Sequence, residues 1–139
     1  SWLDRSALEL VRHVSPMDEG AAVALLGRYL HDFQQAQQPI GTLSGGERSR
    51  LQLATVVLQI PNLLLLDEPT NNLDIPSAEV LEAELESFDG SVVVVSHDRY
   101  FLDRIVDRVL AFEDGSLVPY AGGYTDYLEA RGAAYPREA

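Results

Sequence analysis

Cysteine and lysine are both absent from this sequence of 139 residues. Without cysteine the chain can form neither a disulfide scaffold nor a thiolate metal site, which is compatible with a reducing cytoplasm. No apolar run approaches the roughly 20 residues that a membrane-spanning helix requires. The apolar runs at 63–66 and 92–95 are instead of the length that predicts buried strands. The sequence therefore excludes disulfide-rich and thiolate-metal classes and predicts a chain without a membrane segment.

The charge of the chain is strongly acidic, with a formal net value of −12. All ten basic residues are arginines. An acidic surface repels phosphate backbones, so we expect no direct nucleic-acid binding by this segment. The chain begins at Ser1 within helix-like sequence, and we expect it to be a piece of a longer protein.

Hydrophobic patterning divides the chain into three predicted domains, at 1–60, 61–121 and 122–139. The first is helical, with a polar link at 34–38 and a further helix at 44–59. The second alternates strands at 63–66 and 92–95 with helices, one of them capped by Ser77 and ending near residue 87, and closes with a hairpin of 108–112 and 116–120. The third contains a glycine turn, one short helix and a tail. Strands that alternate with helices predict an α/β fold with a parallel sheet.

The sequence Leu-Ser-Gly-Gly-Glu at 43–47 has two interpretations. Ser44 with Glu47 three residues later is a capping box, and Gly45 and Gly46 shape the turn before a helix. The same helix end presents unpaired amides and a positive dipole, and two glycines let a phosphate approach them. The pattern by itself leaves both interpretations open.

Two adjacent carboxylates, Asp67 and Glu68, follow the predicted strand at 63–66. Ligands of open α/β sheets bind at the carboxyl ends of strands. One carboxylate there can hold magnesium, and the next can deprotonate an attacking water. Adjacent strand residues point to opposite faces, however, so the two can also be solvated acids that do not act together.

His97 follows the second predicted strand, at 92–95, within Ser-His-Asp at 96–98. An imidazole at this position can contact a terminal phosphate or an attacking water, or it can be an ordinary hydrogen-bonding loop residue. The other two histidines, His13 and His31, fall in predicted helices, and we assign them no role.

In this order and spacing, the three motifs resemble those of the ATP-binding-cassette ATPases. The ABC-F group, soluble proteins with two cassettes on one chain, resembles the sequence most. Ser-His-Asp-Arg-Tyr-Phe-Leu-Asp at 96–103, Asp-Ile-Pro-Ser at 74–77 and Gly-Gly-Tyr-Thr-Asp-Tyr-Leu at 122–128 are similar to ABC-F segments, especially those of its second cassette. The resemblance implies the helical signature subdomain at 1–60, the later half of a RecA-like ATPase core at 61–121, and a C-terminal helix and tail.

The resemblance also implies roles for individual residues. Ser44 and Gly46, within the signature motif with Gly45 and Glu47, would contact the γ-phosphate of ATP held by an opposite cassette. Asp67 would serve Mg²⁺, Glu68 would be the general base, His97 would contact the γ-phosphate, and Asp74 would communicate across the cassette interface. The implied partners are a second cassette and, for the parent protein through regions outside this chain, the ribosome. The implied location is the cytoplasm.

Two features depart from the family pattern. Asn72 stands where ABC-F members usually have histidine. Because asparagine can still form hydrogen bonds, this departure affects only the fine tuning of the site. More importantly, the chain has no G-x-x-x-x-G-K-[ST] loop, whose lysine holds the phosphates. The strand that carries this loop normally lies inside the sheet, so we expect exposed strand edges and apolar surface here. We expect the isolated chain to bind ATP poorly and to be inactive.

Three functions remain open at this stage. The first is an ATP-hydrolysing part of an ABC-F protein that acts in translation or antibiotic resistance. The second is a non-catalytic, truncated module that pairs with an intact cassette, an interpretation favoured by the missing phosphate loop. The third is the ATPase subunit of a membrane transporter, which the sequence at 99–102 argues against.

Overall fold

The computed structural model describes residues 1–30, 32–71 and 73–132. Short 3₁₀ turns lie at Trp2–Asp4 and Ile40–Thr42. The helices are α1 (Ala7–Val14), α2 (Glu19–Leu26), α3 (Phe33–Gln37), α4 (Gly45–Leu58), α5 (Ile75–Glu86), α6 (Arg99–Ile105) and α7 (Tyr124–Ala130), and the strands are β1 (Leu63–Asp67), β2 (Ser91–Val95), β3 (Arg108–Glu113) and β4 (Ser116–Ala121). Along 1–30, 32–71 and 73–132, no helix is long and apolar enough to cross a membrane.

The predicted α/β architecture with parallel strands is confirmed. Strands β1 and β2 pair with each other. The Ser91 N–H donates to the Asn62 carbonyl at 2.9 Å, and the Glu68 N–H donates to the Val95 carbonyl at 2.7 Å. Both chain segments advance in the same direction between these two bonds, so the strands are parallel.

The predicted hairpin is also confirmed. Strands β3 and β4 pair antiparallel in a register that runs from Arg108 opposite Ala121 to Glu113 opposite Ser116. The connecting pair, Asp114 and Gly115, has φ values of +47° and +82°. Positive φ at both central residues is the requirement of the two-residue turn that matches strand twist, and Asp-Gly satisfies it.

The chain forms two compact units. The first contains residues 1–64 and 71–93, and the second contains residues 65–70 and the segment from Val94 onward. The core of the first unit is a cluster of buried residues from the helical segments: Ala7, Val11, Leu26, Leu30, Ala36, Ile40, Leu43 and Leu51. In the second unit, Phe101 of α6 and Ala111 of β3 are buried.

Two local predictions are wrong. The segment at 34–38, expected to be a polar link, lies largely within α3, whose N-cap Asp32 accepts a hydrogen bond from the Gln34 N–H at 2.9 Å. A helix this short buries only Ala36, so it leaves no apolar period in the sequence. Likewise, α5 begins at Ile75 with Asp74 as its cap, rather than at Ser77.

The burial expected for the strands at 63–66 and 92–95 is confirmed only at Leu64, and the side chains at 92–95 alternate between half-buried and exposed. Leu65 is 73% exposed and Val95 is 60% exposed, whereas Leu64 is buried. These exposed side chains agree with the apolar surface that was expected from the absence of a phosphate loop in the sequence. His31, Asn72 and most of the predicted tail lie outside the described residues.

Candidate functional site

The second unit brings Glu68 and His97 together. The Glu68 carboxylate accepts a hydrogen bond from the His97 backbone N–H at 3.2 Å. Its other oxygen lies 3.5 Å from Nε2 of the same histidine. The carboxyl side chain is only 22% exposed, whereas the imidazole is 98% exposed. The carboxylate is therefore held by the chain, while the imidazole remains open to a ligand.

The backbone at Glu68 explains how its carboxylate reaches this position. Glu68 has a φ of +46°, in the left-handed region that costs a non-glycine residue about 1 kcal/mol. The residue thereby leaves the alternation of β1, in which Asp67 is still a strand position. Glu68 also keeps its N–H bonded to the Val95 carbonyl. A strained residue that is fixed by two hydrogen bonds is a candidate for a functional role.

Asp67 ends β1 with an exposed side chain. Among the residues that the structure describes, no group of three or more His, Cys, Asp or Glu side chains could hold a metal ion. Magnesium in phosphoryl-transfer sites is commonly held by one or two carboxylates, with phosphate and water oxygens completing the shell. A single exposed carboxylate at a strand end fits that use and does not fit an all-protein cage.

The first unit contains the signature turn, the segment 43–47. The Ser44 hydroxyl accepts a hydrogen bond from the Glu47 N–H at 3.2 Å, and the Glu47 carboxylate accepts one from the Ser44 N–H at 2.7 Å. The predicted capping box is therefore present. Gln35 of α3 donates to the other Glu47 oxygen at 2.7 Å, which fixes the box from outside α4.

The signature turn leaves one donor and open space for an anion. The Ser44 hydroxyl accepts from Glu47 and keeps its own O–H as a donor. Apart from its chain neighbours and the backbone of its own helix, no atom lies within 4 Å of the position that a Cβ on Gly45 would occupy. A phosphate could therefore approach the first amides of a 14-residue helix without steric hindrance.

Gly46 has a second reason to be glycine. A Cβ at Gly46 would lie 2.9 Å from Cγ of Asp74 and still closer to its Oδ2. Asp74 is itself held, because its Oδ1 accepts a hydrogen bond from the Ser77 N–H at 2.9 Å as the cap of α5. The structure thus brings two predicted site residues, Gly46 and Asp74, into direct contact.

The sequence interpretation missed Arg50 and mistook the role of Ser77. The Arg50 side chain is only 4% exposed and contacts both Asp74 and Ser77. The pattern Asp-Ile-Pro-Ser, with proline in the first helical turn, could have identified Asp74 as the cap. Arg50 could also have been identified from the sequence, because it lies at helical spacing from apolar residues of α4 such as Ala54.

Comparison with known proteins identifies the class. Residues 8–71 match the family described as ABC transporter. A solved structure of a metal-chelate type ABC transporter in an inward-facing conformation shares the fold, with a TM-score of 0.63. The structural match covers 87% of this chain and 54% of the transporter chain. At 24% sequence identity, it is evidence for the fold alone. The chain is thus similar in sequence and in fold to ATP-binding-cassette domains.

Individual relatives narrow this class. The ABC transporter F family member 5 of Arabidopsis thaliana is 43% identical over 142 residues, which cover 99% of this chain and 20% of that protein. The energy-dependent translational throttle protein EttA of Mycobacterium tuberculosis is 48% identical over 96 residues, covering 69% of this chain and 17% of that protein. The uncharacterized ABC transporter ATP-binding protein YfmR of Bacillus subtilis is 50% identical over 109 residues, covering 78% of this chain and 17% of that protein. These relatives place the chain in the ABC-F group, and it spans only 17–20% of their length.

Proposed function

We propose that this chain is part of an ABC-F-type ATPase domain that binds and hydrolyses ATP at an interface between two cassettes. The observation that carries the proposal is the Glu68–His97 pair at the ends of two parallel strands. Residues 1–60 then form the signature subdomain, residues 61–121 the later half of the ATPase core, and residues 122–139 the C-terminal helix and tail.

The roles in the core follow from the environment of each side chain. Glu68 is the general base, because one carboxylate oxygen is oriented by the His97 N–H, and the other, 3.5 Å from Nε2 of His97, can accept a proton from water. The exposed imidazole of His97 can turn toward a γ-phosphate oxygen. Asp67 would hold Mg²⁺, which neutralises charge on the phosphates. Phosphoryl transfer needs little more from the protein than such positioning and charge stabilisation.

The roles in the signature turn concern ATP that is held by another cassette. Ser44 would donate its free O–H to the γ-phosphate, and the amides after Gly45 and Gly46 would add donors at the positive end of α4. Glu47 supports this end as the second member of the capping box. Asp74, which contacts Gly46, would communicate across the cassette interface.

The proposal is tested by ATP turnover and Glu68→Gln. We expect no turnover by the 139-residue chain, because its sequence lacks the lysine that holds the phosphates. In the full-length protein, Glu68→Gln should reduce turnover by about 100-fold or more, the size expected on loss of a general base. The control is Glu129→Gln, which removes an exposed carboxylate on α7 and should leave turnover unchanged.

Two results would contradict the proposal. Turnover by the 139-residue chain that disappears with Glu68→Gln would mean that a complete site exists within it. Full-length protein that keeps its turnover with Glu68→Gln would remove Glu68 from the role of base. In that case the non-catalytic module that pairs with an intact cassette becomes the better description.

The partner of the parent protein is proposed from its relatives. One of them carries the name translational throttle protein, which favours the ribosome over a transporter permease and fits a cytoplasmic location. The acidic charge of the chain makes regions outside it the better candidates for contact with ribosomal RNA. Co-sedimentation of the full-length Glu68→Gln protein with ribosomes, with and without ATP, tests this assignment, and no ATP-dependent binding would count against it.

A further inference from the structure

Arg50 of α4 is a buried cation in the first unit. Its side chain is 4% exposed. A buried charge is tolerated only when it is paired and its donors are satisfied, because an isolated buried ion is very costly. The partners of this guanidinium therefore indicate what it holds together.

The guanidinium connects the start of α5 to the signature turn. Its Nε donates to the Tyr29 carbonyl at 2.7 Å, and its Nη1 donates to the Ser77 hydroxyl at 2.8 Å. The same Nη1 lies 3.4 Å from Oδ1 of Asp74. The Ser77 hydroxyl in turn donates to the Gly46 carbonyl at 3.3 Å. The Ser77 hydroxyl and the Oδ1 atom of Asp74, which also caps α5, therefore each serve two contacts.

We propose that Arg50 is a positioning residue of the signature half-site, holding the Gly46 peptide and the Asp74 carboxylate in one geometry. This inference rests on the proposed function, in which Gly46 and Asp74 act at the cassette interface. Because Ser77 links Arg50 to the Gly46 carbonyl, the phosphate-facing amides of the signature turn and the segment that ends at Asp74 move as one piece.

The geometry requires arginine and not simply a positive charge. The two bonds shorter than 3 Å leave from two different nitrogens, Nε toward Tyr29 and Nη1 toward Ser77. A planar guanidinium presents these donors in a fixed fork, whereas the ammonium of lysine is a single point charge on a flexible stem. Arg50→Lys would keep the charge and lose one of the two directions.

The test is ATP hydrolysis by the full-length protein, with kcat and KM measured separately and kcat expressed per folded molecule. Arg50→Met should lower kcat about 10- to 100-fold and leave the KM for ATP within about twofold, because only positioning in the closed state is lost. Arg50→Lys should also lower kcat. Ser77→Ala, which removes the hydroxyl bridge alone, should lower kcat about threefold to tenfold.

Leu51→Ala is the control for a purely structural effect. Leu51 is the neighbouring residue on α4 and is equally buried, but its side chain belongs to the apolar core. Its truncation should lower the midpoint of thermal unfolding while leaving kcat per folded molecule within about twofold of the wild type.

Each outcome decides the inference. A kcat loss with Arg50→Met and Arg50→Lys, but not with Leu51→Ala, supports it. If the arginine variants behave like Leu51→Ala, the role of Arg50 is structural and the inference is overturned. If Arg50→Met does not fold, wild-type kcat in both Arg50→Lys and Ser77→Ala overturns it. If the wild-type protein itself does not hydrolyse ATP, the proposed function fails and this inference fails with it.

Discussion

Alanine at Gly46 would place a methyl group against the carboxylate of Asp74. The Cβ would lie 2.9 Å from Cγ and 3.1 Å from Oδ1, and closer still to Oδ2. Carboxylates on free side chains can swing away from such a contact. This one is held, because Oδ1 caps α5 through the Ser77 N–H and also faces Arg50. Relief of the clash therefore requires Asp74 to give up at least part of both contacts.

The magnitude follows from what is lost and what is gained. Loss of an N-cap costs about 1 kcal/mol. The Arg50 contact at 3.4 Å to a half-exposed carboxylate adds only about 0.5 kcal/mol. Replacement of glycine by alanine in the first turn of a helix returns about 0.5 kcal/mol. We therefore expect Gly46→Ala to lower the free energy of unfolding by about 1 kcal/mol, which corresponds to about 4 °C in the unfolding midpoint for a chain of this size.

The adjacent glycine is a matched control. Gly45 has no atom within 4 Å of its would-be Cβ, and it lies in the same first turn of α4. Gly45→Ala should therefore leave stability unchanged or raise it by about 0.5 kcal/mol. Two substitutions that are identical in chemistry and adjacent in sequence should differ by about 1 to 1.5 kcal/mol, since only one of them meets Asp74.

The assay is chemical denaturation of the 139-residue chain, followed by circular dichroism for the wild type and both variants. A third variant, Gly46→Ala combined with Asp74→Ala, removes the obstructing carboxylate. In that background Gly46→Ala should no longer be destabilising, so the two substitutions should be non-additive. Equal stability of Gly46→Ala and Gly45→Ala, or simple additivity with Asp74→Ala, would refute the proposed contact.

The remaining predictions concern one buried hydroxyl and one helix contact. Burial, with the nearby Glu84 charge as a second cause, raises the pKa of Tyr29 to about 12. Unfolded tyrosine titrates near 10, so the folded state binds the proton more tightly, and stability should fall by on the order of 2 kcal/mol as pH rises from about 10 to 12. Tyr29→Phe should abolish this alkaline loss in denaturation measurements at pH 9 and 12; an unchanged loss would contradict it. Asp103 accepts hydrogen bonds from the Thr125 N–H at 2.7 Å and from its hydroxyl at 2.6 Å. Asp103→Ala should therefore destabilise α7 by about 1 kcal/mol, which can be measured by amide hydrogen exchange in α7. The control is Asp107→Ala, at an exposed aspartate, which should have no such effect. Equal effects of the two substitutions on exchange in α7 would argue against this contact.

Elements that are specified by local chemistry could be predicted from the sequence. The hairpin follows from Asp114-Gly115, because these residues accept the positive φ values that the turn demands. The start of α4 follows from Ser44 and Glu47, whose side chains and backbone amides satisfy each other within four residues. In both cases the interactions that define the structure lie within the same few residues.

Elements that depend on distant partners were predicted less well. The helix α3 has one buried side chain, Ala36, and its Gln35 contacts Glu47 twelve positions away. The exposure of Leu65 and Val95 depends on which segments cover the sheet, and an apolar run contains no information about that. The roles proposed for Asp67, Glu68 and His97 remain predictions, although the contact between Glu68 and His97 agrees with them.

The burial of Arg50 could have been predicted from the helical periodicity of α4. The buried stripe of α4 includes Leu51 and Ala54, with Leu58 partly buried against the core. Steps of four residues back from Leu58 pass through Ala54 and reach Arg50, so a charge occupies a position that helical spacing assigns to the interior. A charge on such a stripe must be matched by partners from other elements. The sequence could therefore have predicted that Arg50 binds polar partners from other elements. It could not have identified these partners as Tyr29 and Ser77, which are 21 and 27 positions away and reach Arg50 only in the folded chain.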